Sequence, residues 1–155
     1  MFKIMENKVL EIKTNIQIQQ PVTVVFEAIV DPSKMSQYFI AKSSGRMEDG
    51  KTLTWQFPEF PDDVPVIVGK IIADEYVSFY WNMGTNQLLV EISLLAIGND
   101  TLVTVTEKSM DNNEEGIKWL KGNTEGWANF LACMKAYLDH GINLRKGAFD
   151  FMRKP

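Results

Sequence analysis

The sequence predicts an α+β fold. It consists of a curved antiparallel sheet of about six to seven strands, covered by a long C-terminal helix, with two short helices after the first strand. Three observations carry this. Period-two alternation of apolar and polar residues recurs in short segments through most of the chain. Those segments are joined by turns rich in Gly, Asn and Asp, and hairpin spacing of this kind implies an antiparallel sheet with one face free to stay wet. Finally, Thr124 to Lys146 places Trp127, Phe130, Leu131, Met134, Ala136, Tyr137 and Leu138 mostly three and four residues apart, which stacks them on one side of a helix.

In order along the chain, Val9 to Ile18 alternates, with Leu10, Ile12, Ile16 and Ile18 on one face and Glu11, Lys13, Asn15 and Gln17 on the other. Pro21 to Val30 is predicted as a short helix, because Pro is tolerated in a first turn and Val22, Val25, Phe26 and Ile29 share a face. Asp31 and Pro32 break it, and Asp31 can cap a second short helix reaching about Tyr38. Thr52 to Phe57 alternates again, with Leu53, Trp55 and Phe57 facing one way, and Pro58 to Asp63 is expected to be a loop. Val66 to Ala73 and Val77 to Trp81 form a strand pair, with Phe79 and Trp81 facing as Val77 does. Gln87 to Ile97 and Thr101 to Lys108 pair across the turn Gly98-Asn99-Asp100. Asp111 to Gly122 is predicted as a polar link to the long helix. No internal repeat or linker interrupts the chain, so residues 1–155 are predicted as one domain with its core at about 9–147.

Composition narrows the function classes. Hydrophobic residues make up 45% and charged residues 23%, which is ordinary for a globular protein. A net charge of −4 without a concentrated basic face argues against nucleic acid, since Arg145 to Lys154 is interrupted by Gly147, Phe149 and Asp150. Cys133 is the only cysteine, which forbids an intrachain disulfide and fits a reducing compartment. The charges at Lys3, Glu6, Lys8, Glu11 and Lys13 break up any signal-peptide core, and no apolar run approaches the roughly 20 residues of a spanning helix. The cytoplasm and no membrane span are therefore expected.

No catalytic constellation stands out. His140 is the sole histidine, and Cys133 lies about two helical turns before it, roughly 10 Å along the axis, too far for a shared proton or metal. Glu59, Asp62 and Asp63 lack the alternation of a calcium loop and are expected to be solvated. Glu91 falls on the wet face of its strand. Glu107 falls on the face of Val103 and Val105, where either an acid–base role or a plain strand-end partner is open. The glycines form no phosphate-binding loop, and neither metal nor cofactor is expected. Trp55, Trp81 and Trp127 are all aimed at one interior, and their N–H groups need polar partners that a dry core rarely supplies. Plain core and the wall of a ligand cavity both account for them.

The order of elements and several local patterns resemble the activator of heat-shock-protein-90 ATPase homologue family, within the START-like (SRPBCC, Bet v-type helix-grip) superfamily. Pro21, Val25, Phe26, Ala28, Ile29, Asp31 and Pro32 resemble its first helix and break. Gly50 followed by Trp55, the run Gly69 to Trp81, the Thr-alternating strand Thr101 to Glu107, and Gly126-Trp127 with Leu131, Lys135, Tyr137 and Leu138 are similar to its later elements. Tyr38-Phe39 departs from the pattern, because many relatives carry a Trp there. The resemblance spans about Val9 to Gly141 and implies a helix-grip fold with a hydrophobic cavity between sheet and long helix. Superfamily members range from lipid carriers to polyketide cyclases, so the fold alone does not choose the task.

The leading expectation is a non-enzymatic domain that binds an apolar or aromatic small molecule or lipid. Its pocket is expected to be lined by Leu53, Trp55, Phe57, Phe79 and Trp81 from the sheet and Trp127, Leu131, Met134 and Leu138 from the helix, with Tyr38 and Phe39 at the mouth. One alternative is a small enzyme of the polyketide cyclase or hydrolase type, with Glu107 or His140 as acid–base group. Another is a stress-response interaction that stimulates a chaperone ATPase. Whether the chain forms a homodimer through a sheet edge or the long helix is left open.

Overall fold

The computed structural model describes residues 9–154. β1 (Leu10–Ile18) leads into α1 (Val22–Val30) and α2 (Pro32–Met35). Six strands follow: β2 (Lys42–Ser43), β3 (Thr52–Gln56), β4 (Asp63–Ile72), β5 (Tyr76–Met83), β6 (Asn86–Ile97) and β7 (Asp100–Met110). α3 (Glu114–His140) and a short 3-10 turn at Asp150–Met152 close the chain. The seven strands form one sheet in the order β1-β7-β6-β5-β4-β3-β2, antiparallel at every pairing. β2 to β7 is thus a meander, and β1 returns beside β7. This is the α+β helix-grip architecture expected from the sequence, a curved sheet gripping a long C-terminal helix.

Each element follows from its residues. In β1, Ile12 and Ile18 are fully buried, whereas Glu11, Lys13, Asn15 and Gln17 face water. α1 buries Val25, Phe26, Ala28, Ile29 and Val30, and stops where the Asp31 carboxylate accepts the Ser33 N–H at 2.9 Å to start α2. A bulge sits in β4 between Val68 and Ile71. There the Ser78 hydroxyl bonds both the N–H and the carbonyl of Lys70, and a Cβ on Gly69 would meet Ser78 Oγ at 2.6 Å. The bulge adds to the twist that bends the sheet around α3.

The structure corrects three sequence-based boundaries. The long helix begins at Glu114, not near Thr124, and ends at His140, not at Lys146. Its start is masked in the sequence because the first turns bury only Gly116 and Trp119, leaving most side chains in water. The start is capped by Asn113, whose side chain accepts the Gly116 N–H at 2.8 Å, with Glu114 and Glu115 favourably placed at the helix N-terminus. The end is set by Gly141, whose φ of 65° is left-handed, while the Ile142 N–H reaches back to the Ala136 carbonyl. β4 also starts earlier than expected, at Asp63. Pro65 is tolerated there because pairing with β5 begins only at Ile67, so no β5 ladder bond is lost.

The inner face of the sheet packs onto Phe130, Leu131, Cys133 and Met134 of α3. Leu53, Trp55, Val66, Val68, Phe79, Val90 and Val105 are all within 1% of complete burial. This closed core occupies most of the space under the helix. It leaves one end open.

Candidate functional site

That open end lies beside the first half of α3. Trp81 on β5, Glu107 on β7, and Asn123 and Trp127 one turn apart on α3 converge there. The Trp81 indole donates to Glu107 Oε2 at 2.6 Å, while the Trp127 indole and the Asn123 amide each donate to Oε1 at 3.0 Å. Glu107 is completely buried, and three N–H donors hold its carboxyl group in place of a cation. The polar partners that the tryptophans required are therefore supplied by one residue. The two indoles lie 5.5 Å apart, centroid to centroid, and Phe79 and Trp55 continue the edge-on packing behind them.

In front of this indole pair is a cavity of about 570 Å³. Phe39, Phe57, Phe60, Trp81 and Trp127 form its aromatic sides, and Asn123, Glu125 and Asn129 contribute polar groups from α3. Gly122 and Gly126 also line it, and a Cβ on either would meet nothing within 4 Å, so the two glycines leave space on the cavity side of the helix. The remaining wall comes from the segment after α3: Arg145, Phe149, Phe151 and Met152. Arg145 is mostly buried. Its Nη2 pairs with Glu59 Oε1, and its guanidinium lies 5.8, 5.7 and 5.0 Å from the rings of Phe39, Phe57 and Phe149. A second depression, of about 850 Å³, lies by the β4–β5 turn and β6. It is bordered by Lys70, Asp74, Glu75 and Glu91 and has no comparable aromatic wall.

Of the predicted pocket residues, Phe57, Trp81 and Trp127 line the cavity, as does Phe39 from the predicted mouth. Leu53, Trp55, Phe79, Leu131 and Met134 are instead in the closed core, because the inner sheet face meets α3 directly at that level. Leu138 is partly buried against the same core, away from the cavity. Tyr38 is fully buried rather than at the mouth, and its hydroxyl donates to the Ala28 carbonyl at 2.8 Å. Burial also pushes its phenol far above the ordinary range. Glu59 was expected in a solvated loop and is instead buried against Arg145. Nothing local in the sequence pairs residues 59 and 145.

His140 is exposed at the end of α3. Cys133 is buried, and that burial raises its thiol pKa, the opposite of what a nucleophile needs. Among the described residues no cluster of three or more His, Cys, Asp or Glu is placed to hold a metal ion, and no helix is long and apolar enough to cross a membrane.

The family model for activator of Hsp90 ATPase homolog 1-like protein matches residues 19–139, which contain β2 to β7 and nearly all of α3 but none of β1. The chain belongs to this family. A crystal structure of a Staphylococcus saprophyticus protein shares 33% sequence identity with it at a TM-score of 0.77, covering 86% of this chain and 94% of the other. The solution structure of the Aha1 dimer from Colwellia psychrerythraea matches at 18% identity and a TM-score of 0.73, covering 85% and 98%. An HSP90 activator from Plasmodium falciparum matches at 15% identity and a TM-score of 0.67, covering 83% and 96%. The last two likenesses concern the fold alone. No curated protein matches the sequence. The family assignment agrees with the resemblance carried by Pro21 to Pro32, Gly69 to Trp81 and Gly126 to Leu138.

Proposed function

We propose that this family member is a non-enzymatic binding domain that takes an apolar or aromatic small molecule or lipid between β5, α3 and the C-terminal segment. The observation that supports this reading most is the rigid indole pair. Glu107 fixes Trp81 and Trp127 as one wall of a cavity whose volume is within the ordinary range for small-molecule sites. Phe39 and Phe57 supply the facing surface, and the few polar groups would orient a ligand without doing chemistry on it. A panel of lipids and polyketides tests the proposal by intrinsic tryptophan fluorescence and thermal shift. Binding should perturb the Trp81–Trp127 emission and raise the melting temperature. A panel that changes neither defeats it.

A second reading, stimulation of a chaperone ATPase, draws support from the family and from the Plasmodium relative described as an HSP90 activator. An ATPase assay with the chaperone of the same organism separates the two, since a pure ligand carrier leaves the turnover rate unchanged. An acid–base enzyme has less support. The Glu107 carboxyl group is engaged by three donors, and His140 stands on the surface.

A further inference from the structure

We infer that the ligand of this cavity is an amphiphilic monocarboxylate, with its carboxylate on Arg145 and its apolar body against the indole pair. The inference rests on the binding role proposed above and adds the ligand's chemical class. Arg145 is the only cationic residue on the cavity wall among the described residues, and its side chain is 14% exposed. A guanidinium has five N–H donors in a planar fork. Here Nη2 is used by Glu59 and the Nε–H is sealed off from solvent, so the accessible, unpartnered donor of the guanidinium among the described residues is Nη1. Glu59 is not part of the cavity wall, so the pair tethers the guanidinium without covering its cavity side.

The geometry of the fork matches a carboxylate, which can accept from the two Nη groups together. A neutral alcohol cannot accept in that paired fashion. The partial neutralisation by Glu59 favours a single negative charge over a doubly charged phosphate. Glu125, the only other charged group on the wall among the described residues, is exposed on α3. The rest of the cavity favours a ring or an acyl chain. Phe57 and Phe149 flank the guanidinium, and Trp81 and Trp127 lie along the wall beyond.

The test is isothermal titration of the full chain at neutral pH with matched pairs: decanoate against decanol, and naphthoate against naphthylmethanol. The carboxylate of at least one pair should bind roughly 10- to 100-fold more tightly than its alcohol, the range of a charge-assisted hydrogen bond. R145M alone leaves Glu59 buried without its cation, so the decisive variant is R145M/E59Q, with its fold checked by near-ultraviolet circular dichroism. In that variant the carboxylate and its alcohol should bind alike. Equal affinities within both pairs in the unaltered chain would overturn the carboxylate assignment and leave the cavity reading standing. A preference that survives in R145M/E59Q would remove Arg145 from the site. No binding of any of the four would overturn both the inference and the binding role.

Discussion

Glu107 occupies a place on the inner sheet face that it shares with the buried aliphatic residues Val103 and Val105. Its replacement separates a structural carboxyl group from a dispensable one. Glu107→Ala strands two indole N–H groups and the Asn123 amide in a buried site and should cost about 3 kcal/mol or more in urea unfolding. Glu107→Gln keeps one acceptor oxygen but turns an NH₂ toward a donor, and should cost about 1–2 kcal/mol. Both variants should lose the fixed angle between Trp81 and Trp127, visible as altered near-ultraviolet circular dichroism. The sequence discloses half of this site. Alternation puts Trp81 and Glu107 on the inner face, and helical spacing aims Trp127 inward, so the participants are legible as buried. That they share one carboxyl group is not, because the bonds join residues 26, 16 and 20 apart in the chain.

At the scale of the element, α3 contains glycines with opposite meanings. Gly116 is packed so closely that a Cβ would collide with the Asp111 backbone carbonyl. Gly116→Ala should therefore destabilise by about 2 kcal/mol despite alanine's better helix propensity, because a backbone contact must open. Gly122 and Gly126 have open space, and Gly→Ala at either should stabilise by about 0.5–1 kcal/mol. Both glycines line the cavity, so an added methyl group at either should lower ligand affinity as stability rises. Thermal melts with and without ligand measure both effects. The same glycines explain why the helix start was illegible: they lower the local propensity just where the outer face is polar. The strands were easier to place, since a sheet with one wet face writes its alternation directly into the sequence. β2 was missed because two residues cannot show a period.

The outer sheet face provides a pH test at the same scale. The Tyr76 hydroxyl donates to Glu91 and Lys108 pairs with it at 3.0 Å, and both hold the Glu91 carboxyl below its ordinary value of 4.5, the tyrosine bond contributing more. A depressed folded-state pKa stabilises the fold at pH values above the unfolded value. That stability is lost as pH falls through the folded one. Glu91→Gln should cost about 1 kcal/mol at neutral pH, and the gap to the unaltered chain should close as the medium is acidified below about pH 4. Urea unfolding across that range checks it. A gap that stays constant would mean the carboxylate's charge is immaterial.

For the whole molecule, the question is what the segment beyond Gly141 does. The buried apolar core runs from Ile12 to Met134, so the body of the fold is complete before the segment begins. The segment instead adds a wall: Arg145 and Phe149 border the cavity half-buried, Phe151 and Met152 border it from exposed positions at its rim, and Ile142 and Leu144 are exposed away from it. Its position was illegible because Arg145 meets Glu59 across 86 residues, and a basic, glycine-interrupted tail resembles a solvated end. A chain truncated after Gly141 should fold with unchanged far-ultraviolet circular dichroism. It should lose about 3 kcal/mol in urea unfolding, largely because Glu59 keeps its buried charge and loses its cation. Glu59→Gln in the truncated chain should then restore a good part of that loss, whereas in the full chain the same substitution should destabilise. Such a reversal of sign is what an ion pair between body and tail demands. Truncation that unfolds the chain, or a Glu59→Gln effect of one sign in both backgrounds, would show that the segment belongs to the core and is not a separate wall of the cavity.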